Sequence, residues 1–199
     1  MLEENLLQAA DDKYIEDCTY EAQMLTKTSL GGYEFKNVHF LSCTFSDCDF
    51  MKTSFYNSTF TNCDFSNCIF ESSYFRDTKI TDCKGDGANF TSSYIKQSTI
   101  KNSTFHYACF THSVWEMSLL DNCIMRNVFF NEVKLNKTKL IEVDFHHADF
   151  LKTLLKGLDL SHCTLEGIFV SDSMKELKGV TISPVQALDI VKMLGIKVV

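Results

Sequence analysis

Two sets of side chains in this sequence could do chemistry. Asp144, His146 and His147 flank Phe145, and a carboxylate with two imidazoles can move protons or hold a metal ion. The second set is nine cysteines, enough to raise the question of disulfides or zinc. Neither set reads as a site. The Asp144 group points outward, adjacent side chains splay, and no third ligand or nucleophile is fixed nearby, so it is expected to be solvated surface. No Gly-rich phosphate loop or zinc spacing occurs elsewhere. Catalysis needs polar groups converging in a concave pocket; the expectation is no enzymatic activity, no cofactor and no metal.

The cysteines point instead to the scaffold. Cys18, Cys43, Cys48, Cys63, Cys68, Cys83, Cys123 and Cys163 each stand two residues before a position of a series with period five, and only Cys109 does not. That series is apolar: Phe35, Phe40, Phe45, Phe50, Phe55, Phe60, Phe65, Phe70, Phe75, and onward in step to Val170. A helix repeats at about 3.6 residues and a half-buried strand at about 2, so a period of five is an internal repeat. The residue two before each centre is small, as at Thr53, Ser58, Ser73 and Ala88. In an extended chain residues two apart share a side. The large and small residues therefore face one interior, the other three face solvent, and each unit is one wall. Gly85 alone is out of type, and a packing irregularity refilled by its neighbours is expected there.

Small-x-Phe/Leu-x-x without gaps resembles the pentapeptide-repeat proteins. The resemblance runs from Phe35 to Val170, with weaker units from Tyr20, and implies an all-β fold: a right-handed quadrilateral β-helix, four units to a coil. At about 4.8 Å per coil the rod would be about 35 Å long. One Pro and seventeen Phe suit it, since Phe fills the bore and Pro would break coil-to-coil hydrogen bonding. A twenty-residue coil stacks Cys43, Cys63, Cys83, Cys123 and Cys163 in one column, as small buried hydrophobes rather than converging metal ligands. So many free thiols, with no signal peptide or long apolar run, suggest the cytoplasm.

The ends divide the chain into residues 1–21, an acidic cap or tail; 22–172, the β-helix; and 173–199, a helix–strand module. Ser183, Pro184 and Gln186 form a capping-box start and Gly195 a stop. Between them Val185, Leu188, Val191 and Leu194 share a face, and Ile196, Val198 and Val199 follow as an apolar strand. Such a module offers more apolar surface than one coil mouth covers, so Val185, Leu188, Val191, Leu194, Ile196 and Val198 are assigned to a homodimer interface. The last forty residues, from "LKGLDLSHCTLEG" to "SPVQALDIVKMLGIKVV", and "CKGDGANF" from Cys83 to Phe90, are similar to the Qnr quinolone-resistance proteins. That similarity implies a rod-shaped dimer that binds DNA gyrase, and often topoisomerase IV, as a mimic of duplex DNA. The unbroken register leaves no room for the projecting loops of Gram-negative Qnr proteins, which places the chain nearer loop-free relatives.

Formal charge is −7, but residues 1–21 hold seven acids against Lys13, leaving −1 for the rest. Distribution matters more than the sum. The wall centred on Phe45, Phe65 and Gly85 displays Asp47, Asp64, Asp86, Asp144 and Glu166 against Lys84 and Arg126. Its neighbour, centred on Phe50 and Phe70, carries Asp49, Glu71, Glu132, Asp149 and Asp172 against Lys52 and Lys152. The wall of Phe35 and Phe55 is basic, with Lys36, Arg76, Lys96, Lys134, Lys137 and Lys156 against Glu34, Asp77 and Glu116. The ten acids form a candidate partner-binding edge that could meet a basic DNA-binding groove. The expected partners are a second copy and a type II topoisomerase, with no direct nucleic-acid binding and no membrane. The alternative is a repeat scaffold for a protein unrelated to DNA.

Overall fold

The computed structural model describes residues 1–198. The five-residue units build the walls as the period requires. Short parallel strands centred on Ile15, Phe35, Phe55, Phe75, Ile95, Trp115 and Leu135 form one seven-stranded sheet, and those centred on Tyr20, Phe40, Phe60, Ile80, Ile100, Leu120 and Leu140 a second. Register is fixed at twenty residues, with Phe35 opposite Phe55 and Phe40 opposite Phe60. The other two walls pair mainly through single bridges such as Asp64↔Lys84 and Asp49↔Ile69. There the centre's carbonyl closes a tight turn by accepting the N–H three residues on, as Phe50 does from Thr53 at 3.1 Å. The fold is a quadrilateral β-helix.

Phenylalanine holds this column because its ring stacks along the axis and meets its corner neighbour edge-on. Phe50, Phe70, Phe90 and Phe110 stack at 4.6–4.8 Å with planes within 7°, whereas Phe45 and Phe50 meet at 80°. Each such pair adds about 0.5–1.5 kcal/mol to the burial itself. The small residues do more than fill. Thr53, Ser73 and Cys68 donate to the carbonyls of Leu30, Phe50 and Phe45 in the coil before, binding adjacent coils from inside. All nine cysteines are free and seven are buried. At Gly85 the neighbouring rings lean into the vacancy: a Cβ there would stand 2.6 Å from both Phe65 and Phe105.

Three expectations are corrected. The β-helix starts at Tyr14 rather than residue 22, because Tyr14–Glu16 and Thr19–Glu21 pair with the next coil. Ahead of it α1, Leu2–Gln8, buries Leu2 and Leu6 over the open mouth, anchored by Tyr33 Oη on the Leu6 carbonyl. At the other end α2, Pro184–Met193, has the expected Ser183–Gln186 capping box, but Ile196–Val198 is not a strand: an extended segment needs a partner edge, and no segment among the described residues pairs with it. Val199 lies outside the described residues. The third correction concerns the walls. The register of centres runs on to Val170, yet the two sheets end at Leu135 and Leu140: residues 155–160 pair with 176–181 on their far edge but not with the coil before.

Candidate partner-binding edge

The carboxylates of the acidic walls owe their positions to the turns. On these walls a side-chain oxygen one residue before the centre can accept the backbone N–H one residue after it, which closes an Asx turn. Asp49, Asp64, Asp144 and Asp149 all do this, at 2.8–3.1 Å, to Met51, Ser66, His146 and Leu151. One carboxylate oxygen serves the fold. The other is left for charge.

The ten predicted residues do not form one uniform edge. Towards the C-terminus Asp144, Glu166 and Glu132 are paired within the protein, whereas Asp149 makes no ion pair among the described residues. Arg126 holds Asp144 at 2.7 Å, and His146 bridges Asp144 at 2.7 Å to Glu166 at 3.0 Å. Glu132 pairs with Lys152 at 2.8 Å and lies 3.6 Å from His112. The expectation that Asp144 and His146 splay apart without a third group is therefore wrong. Lying on either side of Phe145 in a turn, they converge, and the twenty-residue repeat brings Glu166 beneath them. Partial burial would raise the Asp144 pKa, but His146 and Arg126 outweigh it and hold it below the usual carboxylate range. Asp144, then Glu166, holds the His146 pKa above its ordinary value. His147 leans over Gly167 instead.

Towards the N-terminus Asp47, Asp49, Asp64, Glu71 and Asp86 make no ion pair among the described residues, although Asp86 accepts the His106 N–H at 2.9 Å. Asp172 is also unpaired and exposed. The basic wall shows the converse. Lys36 and Lys96 meet Glu16 at 3.7 Å and Glu116 at 3.4 Å, and Arg76 lies 3.4 Å from Asp77. Lys134, Lys137 and Lys156 make no ion pair among the described residues. Lys52 and Lys84 likewise lie unpaired among the acids of the first half, so the free charge of the two acidic walls there is acidic on balance rather than throughout, and residues 1–21 extend that excess by packing on it.

Sequence reasoning missed two features. Tyr107, Phe129 and Phe169 are 62, 47 and 60% exposed and line a groove of about 330 Å³ with Asp149, at outward positions of the repeat. Aromatics out of phase with the repeat were the available signal. The other is Glu176, fully buried at the C-terminal end. Burial would raise its pKa, yet the Ser171 hydroxyl at 2.7 Å and the N–H groups of Lys152 and Ser171 hold it below the usual range. At the predicted dimer face Val185, Leu188, Leu194, Ile196 and Val198 are exposed, whereas Val191 is half-buried. Among the described residues no group of His, Cys, Asp and Glu could hold a metal ion, and no helix is long and apolar enough to cross a membrane.

Comparison with known proteins agrees with the architecture. The family model described as "Pentapeptide repeat region" matches residues 53–123, "Pentapeptide repeats (9 copies)" matches 25–69, and "Pentapeptide repeats (8 copies)" matches 118–150 and 130–167. Together they run from 25 to 167, well over half the chain. Among solved structures, a trypsin-treated form of QnrB1, a plasmid-mediated fluoroquinolone resistance protein, is similar at 19% identity and TM-score 0.55, over 94% of this chain and 98% of that one. Full-length QnrB1 is similar at 18% identity and TM-score 0.51, over 92% and 100%. No curated protein matches the sequence.

Proposed function

Because the chain belongs to the pentapeptide-repeat family, we propose that it is a non-catalytic, cytoplasmic DNA mimic that binds a type II topoisomerase, DNA gyrase or topoisomerase IV, through its acidic edge. The observation that carries this reading is the run of unpaired carboxylates Asp47, Asp49, Asp64, Glu71 and Asp86 on two adjoining walls. They repeat along the rod as phosphates repeat along a duplex. A groove lined by Lys and Arg exchanges its counterions for them as it does for DNA. The likeness of fold to QnrB1 is in keeping with this reading.

The second part of the reading is dimerisation through α2. Val185 and Leu188 are 72 and 45% exposed, and the tail Ile196–Val198 is exposed too, its backbone without a strand partner among the described residues. A second copy supplies that partner by symmetry. A dimer about 70 Å long spans about 20 base pairs at about 3.4 Å each.

Supercoiling and cleavage assays with gyrase, with and without a fluoroquinolone and over a salt series, test the topoisomerase reading; absence of inhibition, rescue and salt-sensitive binding together rejects it. The exposed Tyr107, Phe129 and Phe169 favour one alternative, a scaffold for a protein unrelated to DNA. On that reading Phe129→Ala abolishes partner capture and the carboxylate variants do not.

A further inference from the structure

Every coil but one is closed by the same backbone ladder. On the two sheet walls the residue two after each centre donates its N–H to the next coil: Met117 to Asn136 at 2.8 Å, Asn122 to Ile141 at 3.0 Å. One coil further the ladder stops. Among the described residues Lys137 and Glu142 make no such bond, and both sheets end there, at Lys134–Asn136 and Lys139–Ile141. The chain that should continue them pairs only on its far edge, with Leu155, Gly157 and Leu160 donating to Glu176, Gly179 and Thr181 at 2.9 Å. The other two walls remain bonded, Thr164 to Val143 at 2.9 Å and Phe169 to Ala148 at 2.8 Å. The rod therefore opens as a wedge on two adjacent walls, leaving clefts of about 440 and about 400 Å³.

The first cleft is cationic as well as unpaired. Lys134 and Lys156 line it, neither in an ion pair among the described residues, whereas Lys152 is taken by Glu132; in the second cleft Lys139 stands beside Asp159 and His162. Leu154, 60% exposed, and the half-buried Leu135 give the first cleft an apolar floor. We propose that this wedge binds an extended acidic segment of a partner protein, which adds as a parallel strand beside Lys134–Asn136 and continues around the corner to Lys139–Ile141. An open strand edge offers main-chain hydrogen bonds to any extended chain, and alternate side chains set the choice. Side-chain alternation places one residue of the segment in line with Leu135 and its two neighbours outward, beside Lys134 and Lys156. The favoured pattern is acidic–apolar–acidic. The exposed tail Ile196–Val198 of this chain or of a second copy would bring Lys197 against these lysines and is the wrong charge. The site lies away from the unpaired acids of the first half and is independent of the topoisomerase reading.

The test uses the full chain and a fluorescein-labelled eight-residue peptide of alternating Asp and Val. Its controls are a Lys/Val peptide and the acidic peptide N-methylated at alternate amides. In the free protein the amides of Lys137 and Glu142 are expected to exchange about a hundredfold faster than those of Met117 and Asn122, and saturating acidic peptide should slow them. Lys134→Glu with Lys156→Glu, at unchanged melting temperature, should weaken peptide binding at least about tenfold. Equal protection of all four amides in the free protein would mean the wedge is closed and overturn the proposal. No binding of the acidic peptide overturns it too, as does equal binding of the N-methylated or Lys/Val peptide. Exchange rates read the backbone edge directly, so they report even where a substitution disturbs the coil.

Discussion

Asp64 Oδ1 accepts both the backbone N–H of Ser66, at 2.9 Å, and its hydroxyl, at 2.6 Å. A carboxylate proposed to face a partner is therefore also a fold element. Asparagine can do the second job without the charge, as Asn89 does for the Thr91 N–H at 2.9 Å. Asp64→Asn should leave thermal stability nearly unchanged, while Asp64→Ala should cost about 1 kcal/mol. Equal losses in calorimetry would show that the turn bond is immaterial.

Glu176 closes the C-terminal end by accepting the Lys152 N–H at 2.9 Å. Its folded pKa is depressed, so its stabilisation is present above the unfolded pKa and is lost as pH falls through the folded one. Glu176→Gln should destabilise by about 1–3 kcal/mol at neutral pH and flatten the acid limb of the stability curve. Denaturant titrations at several pH values check both; an unchanged acid limb would dismiss the linkage.

Gly85 sits under Phe65 and Phe105, whose rings close to a centroid distance of 6.0 Å across it. A Cβ at 2.6 Å from each ring forces them apart. Gly85→Ala should cost about 1–3 kcal/mol by overpacking, and pairing it with Phe65→Leu should return part of the loss. Additive losses in the double variant would contradict that account.

Burial shields the thiols of the column from reagents, and it pushes Cys123 up to about 11. With a maleimide at neutral pH, only the half-buried Cys18 and Cys109 should react in the native protein, and all nine on unfolding. Rapid native labelling of Cys43 or Cys68 would mean the column opens.

His146 is held by Asp144 and Glu166, and its raised pKa means the bridge contributes below the unfolded pKa and is lost as pH rises through the folded one. In an NMR titration His146 should titrate above ordinary histidine and fall towards it in Asp144→Asn. A midpoint indifferent to that change would remove the bridge as its cause.

Much of the fold was legible because a β-helix writes its register into the chain: Phe35, Phe55 and Phe75 are neighbours by period alone, and the Ser183–Gln186 cap by spacing alone. What the period does not encode is pairing strength. Nothing at Leu155 or Leu160 announces that these centres part from the coil before, since their residue types keep the repeat. The start at Tyr14 was obscured by Lys13 and Asp17, charged residues at left-handed corners with φ of 53° each. The acidic edge was legible as composition only. Whether a carboxylate is free, as at Asp47, or spent on Arg126 and His146, as at Asp144, depends on side chains about one coil away.

The most direct measurement is the dissociation constant of purified gyrase for the full chain, between about 50 and about 200 mM salt, beside the triple variant Asp47→Asn, Asp64→Asn, Glu71→Gln. These substitutions keep the turn bond at Asp64 and suit the left-handed corner at Asp47, where φ is 53°. The expected result is binding that weakens steeply with salt, is displaced by duplex DNA, and falls at least about tenfold in the triple variant at unchanged melting temperature. Affinity indifferent to salt and to all three substitutions, or no binding at the lowest salt, would contradict the acidic edge as the site of recognition.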